Sequence, residues 1–285
     1  VRTLSAHKRP QVTVERKTVH GSDSLHVAGG IPLGSPARRY YVAASHPARM
    51  TGEMLRVLLA RSGVRVDGRV RVVSLPVLSV KPLASIQGFT LGHEIAMMLH
   101  YSNNYMADTL ALDLAVDRPA ADKAPTLTAA GRRLGRFAAR INRDAGTRLK
   151  TPAAAPTIES GSGLTPENRL SASDIVALLS HVYRDTAVFP AYLAGLSVPG
   201  SAPLRMLRGG GAAWMQRVAV KTGSMNEPVS VLNVAGYYRT PSGGWGAFAV
   251  LVNGTARHPH FPWWTAMHAI EQDVGRLSGK GAGDR

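Results

Sequence analysis

Two short polar segments carry the chemistry legible in this chain: Ser102-Asn103-Asn104 and Lys221-Thr222-Gly223-Ser224. A serine hydroxyl such as that of Ser102 can relay a proton between an amine base and a leaving group. An asparagine such as Asn104 can donate its amide to a substrate carbonyl. The Lys221 ammonium can hold a substrate carboxylate and bias proton transfers, and the Thr222 and Ser224 hydroxyls complete a carboxylate-binding set. Gly223 lacks the side chain that would obstruct a peptide laid along a strand edge. This is the equipment of acyl transfer through a serine. Each segment alone is a weak signal, because Ser and Asn also cap helices and a lysine on an edge strand is ordinarily just solvated. Their order and setting raise them: a helical corner first, then a strand roughly 120 residues later.

The elements that must position these residues follow from periodicity. LGHEIAMMLHYSNNYMADTLALDLA has helical apolar spacing on both sides of Ser102-Asn103-Asn104, which puts the segment at an interhelical corner. Thr128 to Asn142 predicts a further helix, basic on its exposed face, and Ser171-Ala172-Ser173-Asp174 predicts a capping box that opens DIVALLSHVYRD. RVAVKTGS, VSVLNVAGYYRT and GWGAFAVLVNG alternate as strands, the last two joined by Pro241-Ser242-Gly243-Gly244. They imply an antiparallel meander, closed by the helix WWTAMHAIEQDVGRL. Between the two motifs, Gly161-Ser162-Gly163-Leu164 predicts a tight turn that can line a cleft.

Upstream the pattern differs. Residues 1–46 suggest short strands with turns. Pro47 to Arg61 suggests a helix with Gly63 at its C-terminal cap, and VRVDGRVRVV suggests a β-ribbon about Asp67-Gly68. SLPVLSVKPLAS, residues 74–85, has the composition of a linker. The expected organisation is therefore α+β, with a small α+β unit over residues 1–85 and a larger domain over 86–285.

Composition narrows the class. A hydrophobic content of 45% with 18% charged residues fits a folded globular protein. No run of about 18 apolar residues is present. The absence of cysteine excludes disulfides, thiol catalysis and Cys-ligated zinc, and no metal or cofactor is expected. A net charge of +16 favours anionic partners. The basic residues show no nucleic-acid-binding signature, so no nucleic acid is expected, and peripheral association with an anionic wall or membrane surface fits the charge. Val1 is not an initiator and no signal-peptide pattern follows it, so a processed or truncated N-terminus is expected.

With these residues in hand, the chain resembles a D-alanyl-D-alanine carboxypeptidase/endopeptidase of the low-molecular-mass penicillin-binding class. The resemblance is to the group with domains inserted between the Ser-x-x-Lys and Ser-x-Asn motifs. It is carried by residues 29–70, by HYSNNYMADTLAL (100–112), by SGSGLTPENRLSASDIVALL (160–179) and by VKTGSMNEPVSVLNVAGYYRT (220–240). It implies a transpeptidase-type fold, antiparallel sheet between helices, and cleavage of D-Ala-D-Ala bonds in peptidoglycan stem peptides through an acyl-enzyme. It also implies a periplasmic or other extracytoplasmic location, and inhibition by β-lactams where the nucleophile is present. On the resemblance Ser102 assists proton relay, Asn104 contacts the substrate amide and Lys221 lies near the substrate carboxylate. Thr222 and Ser224 bind that carboxylate and the extended backbone beside Gly223. Gly161, Ser162 and Gly163 match the family's Gly-Ser-Gly-Leu loop, with Ser160 where an acidic residue or Asn often precedes it.

The attacking serine is the missing part. A serine and a lysine at i and i+3 on one helix face supply it, through a lysine kept neutral by its surroundings. Ser5-Ala6-His7-Lys8 has that spacing, but Arg9-Pro10 stops a helix there, and Ser79-Val80-Lys81 has the wrong spacing. The expectation is a sequence that begins downstream of the nucleophile helix, with exposed apolar surface and marginal stability as consequences. Two alternatives stay open: a non-catalytic wall-binding homologue, and a nucleophile supplied by a separate chain.

Overall fold

The structure is a computed structural model that describes residues 1–73, 81, 83–116, 124–145, 155–202 and 205–279. The chain divides into two compact units, Val1–Ile86 and Gln87–Arg285.

In the first unit, strands β1 (Arg2–Leu4), β2 (Gln11–Val19) and β3 (Ser22–Pro32) form a sheet of order β1-β3-β2. β2 and β3 make a hairpin whose two turn residues, His20 and Gly21, both take positive φ, the geometry that matches the twist of paired strands. β1 runs parallel to β3 on its other side. Asp23 ties the hairpin to the following segment: it accepts from Thr18 Oγ1 (2.7 Å), Ser45 N (2.9 Å) and Ser45 Oγ (2.7 Å). The Ser45 backbone N–H, then the two hydroxyls, draw its carboxyl down to about 2. Helix α1 (Pro47–Arg61) has proline in its first turn and ends ahead of Gly63, whose φ of +83° suits the cap position. None of its residues is buried, and Met50, Met54, Leu55 and Leu58 lie exposed.

The β-ribbon expected about Asp67-Gly68 does not form: residues 64–73 make no strand. The segment instead lies along α1, with Val70 Cγ1 only 2.5 Å from where a Cβ on Gly52 would stand, and Arg56 donates to the Gly68 carbonyl at 3.3 Å. Val70 rests on the helix, while Val64, Val66 and Val72 stay exposed, so the alternation meets no partner strand. Most of the linker expected at 74–85 falls outside the described residues.

The second unit is built on the sheet β4 (Val218–Met225), β5 (Val231–Arg239) and β6 (Trp245–Asn253), in order β4-β5-β6 and antiparallel throughout. Side-chain alternation gives each face its own core. Val218, Val220, Leu232, Val234 and Phe248 point to the face covered by the short helix α7 (Ala212–Arg217) and the closing helix α8 (Trp263–Gly279), where Trp214 and Met267 are wholly buried. Ala219 and Tyr237 point to the other face, against α5 (Ala172–Arg184) and α6 (Phe189–Gly195). The Tyr237 hydroxyl donates to the Leu179 carbonyl at 2.7 Å, so burial of this phenol leaves no unpaired donor.

Three more helices complete the unit: α2 (Leu91–Tyr101), α3 (Asn104–Leu114) and α4 (Leu127–Asp144). Each opens on a side-chain cap, from Thr90, Asn103 and Thr126. The expected capping box at α5 is present, Ser171 Oγ accepting from Asp174 N (3.1 Å) and Asp174 Oδ2 from Ser171 N (2.6 Å).

Candidate active site

The two motifs meet. Lys221 Nζ donates to Ser102 Oγ at 2.7 Å across 119 residues of chain, and to the Thr222 carbonyl at 2.6 Å. A short path of contacts brings them together. α6 packs on α2 through Gly195, where a Cβ would stand 3.0 Å from Ala96 Cα and from Leu99 Cδ1. Two residues on, Ser197 pairs with the outer edge of β4, its N–H to the Val220 carbonyl (2.8 Å) and its carbonyl from the Val220 N–H (2.9 Å). The C-terminal end of α2 is thereby held beside the residue after Val220, which is Lys221.

Ser102 is the cap residue of α2 and takes a left-handed conformation, φ 51° and ψ 49°, a rare state for a residue with a Cβ. The chain turns there between α2 and α3. Asn103, not Asn104, does the capping, accepting from Met106 N at 3.1 Å. Asn104 is left as the first residue of α3, exposed, and its amide has no hydrogen-bond partner among the described residues.

Lys221 is partly buried, and burial pushes its ammonium below the ordinary lysine range. No carboxylate lies in an ion pair with it among the described residues, so its charge is met only by a hydroxyl and a carbonyl. Such a cation is well suited to an incoming carboxylate. Because the Val220 N–H and C=O point outward from β4, the next outward pairs belong to Thr222 and Ser224. Lys221 occupies the Thr222 carbonyl, and Ser224 stands exposed on the open part of the edge beside Gly223.

The Gly161-Ser162-Gly163 turn is braced rather than loose. Thr157 and Arg169 pair at its base (3.0 and 2.8 Å). Within it, Asn168 Oδ1 accepts from the backbone of Glu159 (2.7 Å) and Ser160 (3.3 Å), and Ser160 Oγ accepts from Gly163 N (3.1 Å). Asp108 Oδ1 accepts from Ser162 N at 2.9 Å, and a Cβ on Gly161 would stand 2.4 Å from the Ala107 carbonyl. The turn is thus seated on α3, and Asp108 is four residues beyond Asn104, on the same helical face. Gly131 of α4 admits the segment leading in, since a Cβ there would meet the Ile158 carbonyl at 1.8 Å.

Asp108, Asn168 and Gly131 escaped sequence reasoning. A carboxylate one helical turn past Asn104 was the signal available for the first. Ser5-Ala6-His7-Lys8 lies in an exposed turn between β1 and β2, with Lys8 N bonded to the Ser5 carbonyl at 3.0 Å, and no helix aligns the two side chains.

An antiparallel sheet flanked by helices is the architecture of the penicillin-binding fold. The chain is similar in structure to penicillin-binding protein 4 of Haemophilus influenzae, solved in complex with a novel β-lactam. The TM-score is 0.57 at 17% identity, covering 93% of this chain and 59% of that one. This chain therefore spans less than two thirds of that protein's length. No curated protein matches it. The model of the D-Ala-D-Ala carboxypeptidase 3 (S13) family matches residues 2–273, and the chain belongs to that family.

Proposed function

We propose that these residues form the substrate-holding and proton-relaying side of a serine-type D-Ala-D-Ala carboxypeptidase or endopeptidase acting on peptidoglycan stem peptides outside the cytoplasm. The Lys221–Ser102 hydrogen bond carries the proposal, because it joins the two motifs into one site. A peptide laid along the open edge of β4 meets backbone groups of Ser224, with Gly223 leaving room and Lys221, Thr222 and Ser224 facing its terminal carboxylate. Asn104 contacts its amide from the start of α3, and Ser102 passes the proton to the leaving amine. Gly161, Ser162 and Gly163, braced on α3, border the substrate. The acyl-enzyme forms on a serine that Ser5-Ala6-His7-Lys8 does not supply. Residues 1–85 belong to the inserted region and 86–285 to the transpeptidase domain.

The test is calorimetric titration with a stem peptide ending in D-Ala-D-Ala. Binding that is lost in Lys221→Ala and absent for the L-Ala-L-Ala peptide supports the proposal; equal binding of both peptides overturns it. The exposed turn at Ser5–Lys8 favours a second reading, a wall-binding homologue without catalysis. Fluorescent penicillin separates the two. Covalent labelling of a longer product of the same gene supports the enzyme, and stem-peptide binding with no labelling of any product supports the binding homologue.

A further inference from the structure

Helix α4 reads LTAAGRRLGRFAARINRD, with arginines at 132, 133, 136, 140 and 143. At 3.6 residues per turn, Arg132, Arg136, Arg140 and Arg143 fall within about 80° of one another around the axis, along roughly 16 Å of its length. All four are exposed, and none is ion-paired among the described residues. The opposite face carries Ala130, Gly131 and Ile141 and is buried, so the stripe lies on the outward side of a helix packed into the domain, beside exposed Thr128, Phe137 and Asp144. Arg133 lies off the stripe and donates to the Leu114 carbonyl.

The patch continues onto α5. Arg140 leans over the Phe137 ring at 5.2 Å, and Phe137 meets the His181 ring edge-on at 5.9 Å. Arg184, exposed, follows one turn later on α5. The nearby acids do not neutralise it. Asp174 is buried, accepting from Asn142 Nδ2 at 2.6 Å, and Asp185 caps the turn after α5 through Ala187 N and Val188 N. Asp144, exposed four residues beyond Arg140, makes no ion pair with it among the described residues and offsets charge at that end of the stripe alone. Like charges at i and i+4 repel, and an external anion relieves that repulsion.

We propose that this face docks the protein onto an anionic lipid surface through headgroup phosphates. The patch spans the exposed faces of two helices, which suits charges spread over a membrane surface. A polyanionic chain is instead gripped along a groove, and a single-stranded nucleic acid calls for free aromatic stacking platforms, whereas the Phe137 ring of this face is engaged by Arg140 and His181. Because the apolar face of α4 is spent inside the domain, the contact is electrostatic and superficial rather than inserted. The inference stands independently of the catalytic proposal.

The test is co-sedimentation of the 285-residue chain with vesicles of phosphatidylcholine alone, or with roughly a third phosphatidylglycerol, at low and raised salt. The variant R132Q/R136Q/R140Q/R143Q is compared with R9Q/R39Q/R65Q/R257Q, which loses the same charge from exposed positions elsewhere; thermal unfolding by circular dichroism checks that each folds. The parent is expected to bind only the anionic vesicles and to leave them as salt rises. Each arginine near such a surface raises partitioning about fivefold, so the stripe variant should lose several hundredfold while the control keeps most of the binding. Failure of the parent to bind, equal losses in both variants, or capture by soluble polyphosphate in preference to vesicles overturns the proposal.

Discussion

Replacing Ser102 by alanine tests whether the two motifs form one unit. A hydrogen bond to a charged donor contributes about 1.5–3 kcal/mol when buried. Ser102 is exposed and Lys221 only partly buried, so solvent reduces the expected value to about 1 kcal/mol. Urea unfolding of the parent, Ser102→Ala, Lys221→Met and the double variant should give a coupling energy near that figure. Lys221→Met alone should be neutral or stabilising at neutral pH, because it removes a cation that burial penalises. The second readout is titration of the side-chain carbons of the seven lysines, at 8, 17, 81, 123, 150, 221 and 280, with Lys221 assigned by its loss in Lys221→Met. In the parent, Lys221 loses its proton earlier than an ordinary lysine; in Ser102→Ala it does so earlier still, since an acceptor for the charged form is gone. The sign for stability follows. The native state sheds this proton at the lowered value and the unfolded chain near 10.4, so this group makes stability rise with pH across that interval, a contribution that Lys221→Met removes. A coupling below about 0.3 kcal/mol together with an unchanged Lys221 titration in Ser102→Ala would refute the pairing.

Gly161→Ala sets a methyl group against the Ala107 carbonyl. It should destabilise by about 1–3 kcal/mol and shift the amide resonances of Ser162 and Asp108, and a silent substitution would contradict the seating of the turn on α3. Glu271, buried on α8, accepts from Gly209 N at 3.1 Å. Burial raises its carboxyl above the usual range against the opposing pull of that N–H and of His268. Stability should therefore fall as pH climbs from about 4.3 through the raised native value, and Glu271→Gln should flatten that stretch of an unfolding curve measured against pH. Ser171→Ala removes the cap of α5 and should lower the unfolding free energy by about 1 kcal/mol in urea, the helix otherwise intact by circular dichroism.

Much of the second unit was legible because its signals are local. The Ser171 cap, the Gly243 turn between β5 and β6, and the alternation that sends Val220 to one face and Ala219 to the other each lie within a few residues. The meeting of Ser102 with Lys221 was not local, but two motifs in the right order implied it. The spacing of Asp108 from Asn104 was visible, but its task was not, because that is set by Ser162, 54 residues away. The valines at 64, 66, 70 and 72 misled for a related reason. Alternation suggests a half-covered strand but does not say what covers it: Val70 meets Gly52 of α1, while Val64, Val66 and Val72 stay exposed.

The open edge of β4 has a consequence for how the protein behaves at high concentration. Among the described residues Ser197 pairs with the strand at Val220; beyond it Lys221 takes the Thr222 carbonyl, and Ser224, exposed beside Gly223, presents its outward backbone groups without a partner. An edge that admits an extended peptide also admits the edge of a second copy. The usual protections, a proline or a bulge in the strand, are incompatible with that opening, so protection falls to its brevity and to the ammonium of Lys221. A peptide ligand would then act as a solubiliser, occupying the edge that copies of the protein would otherwise share.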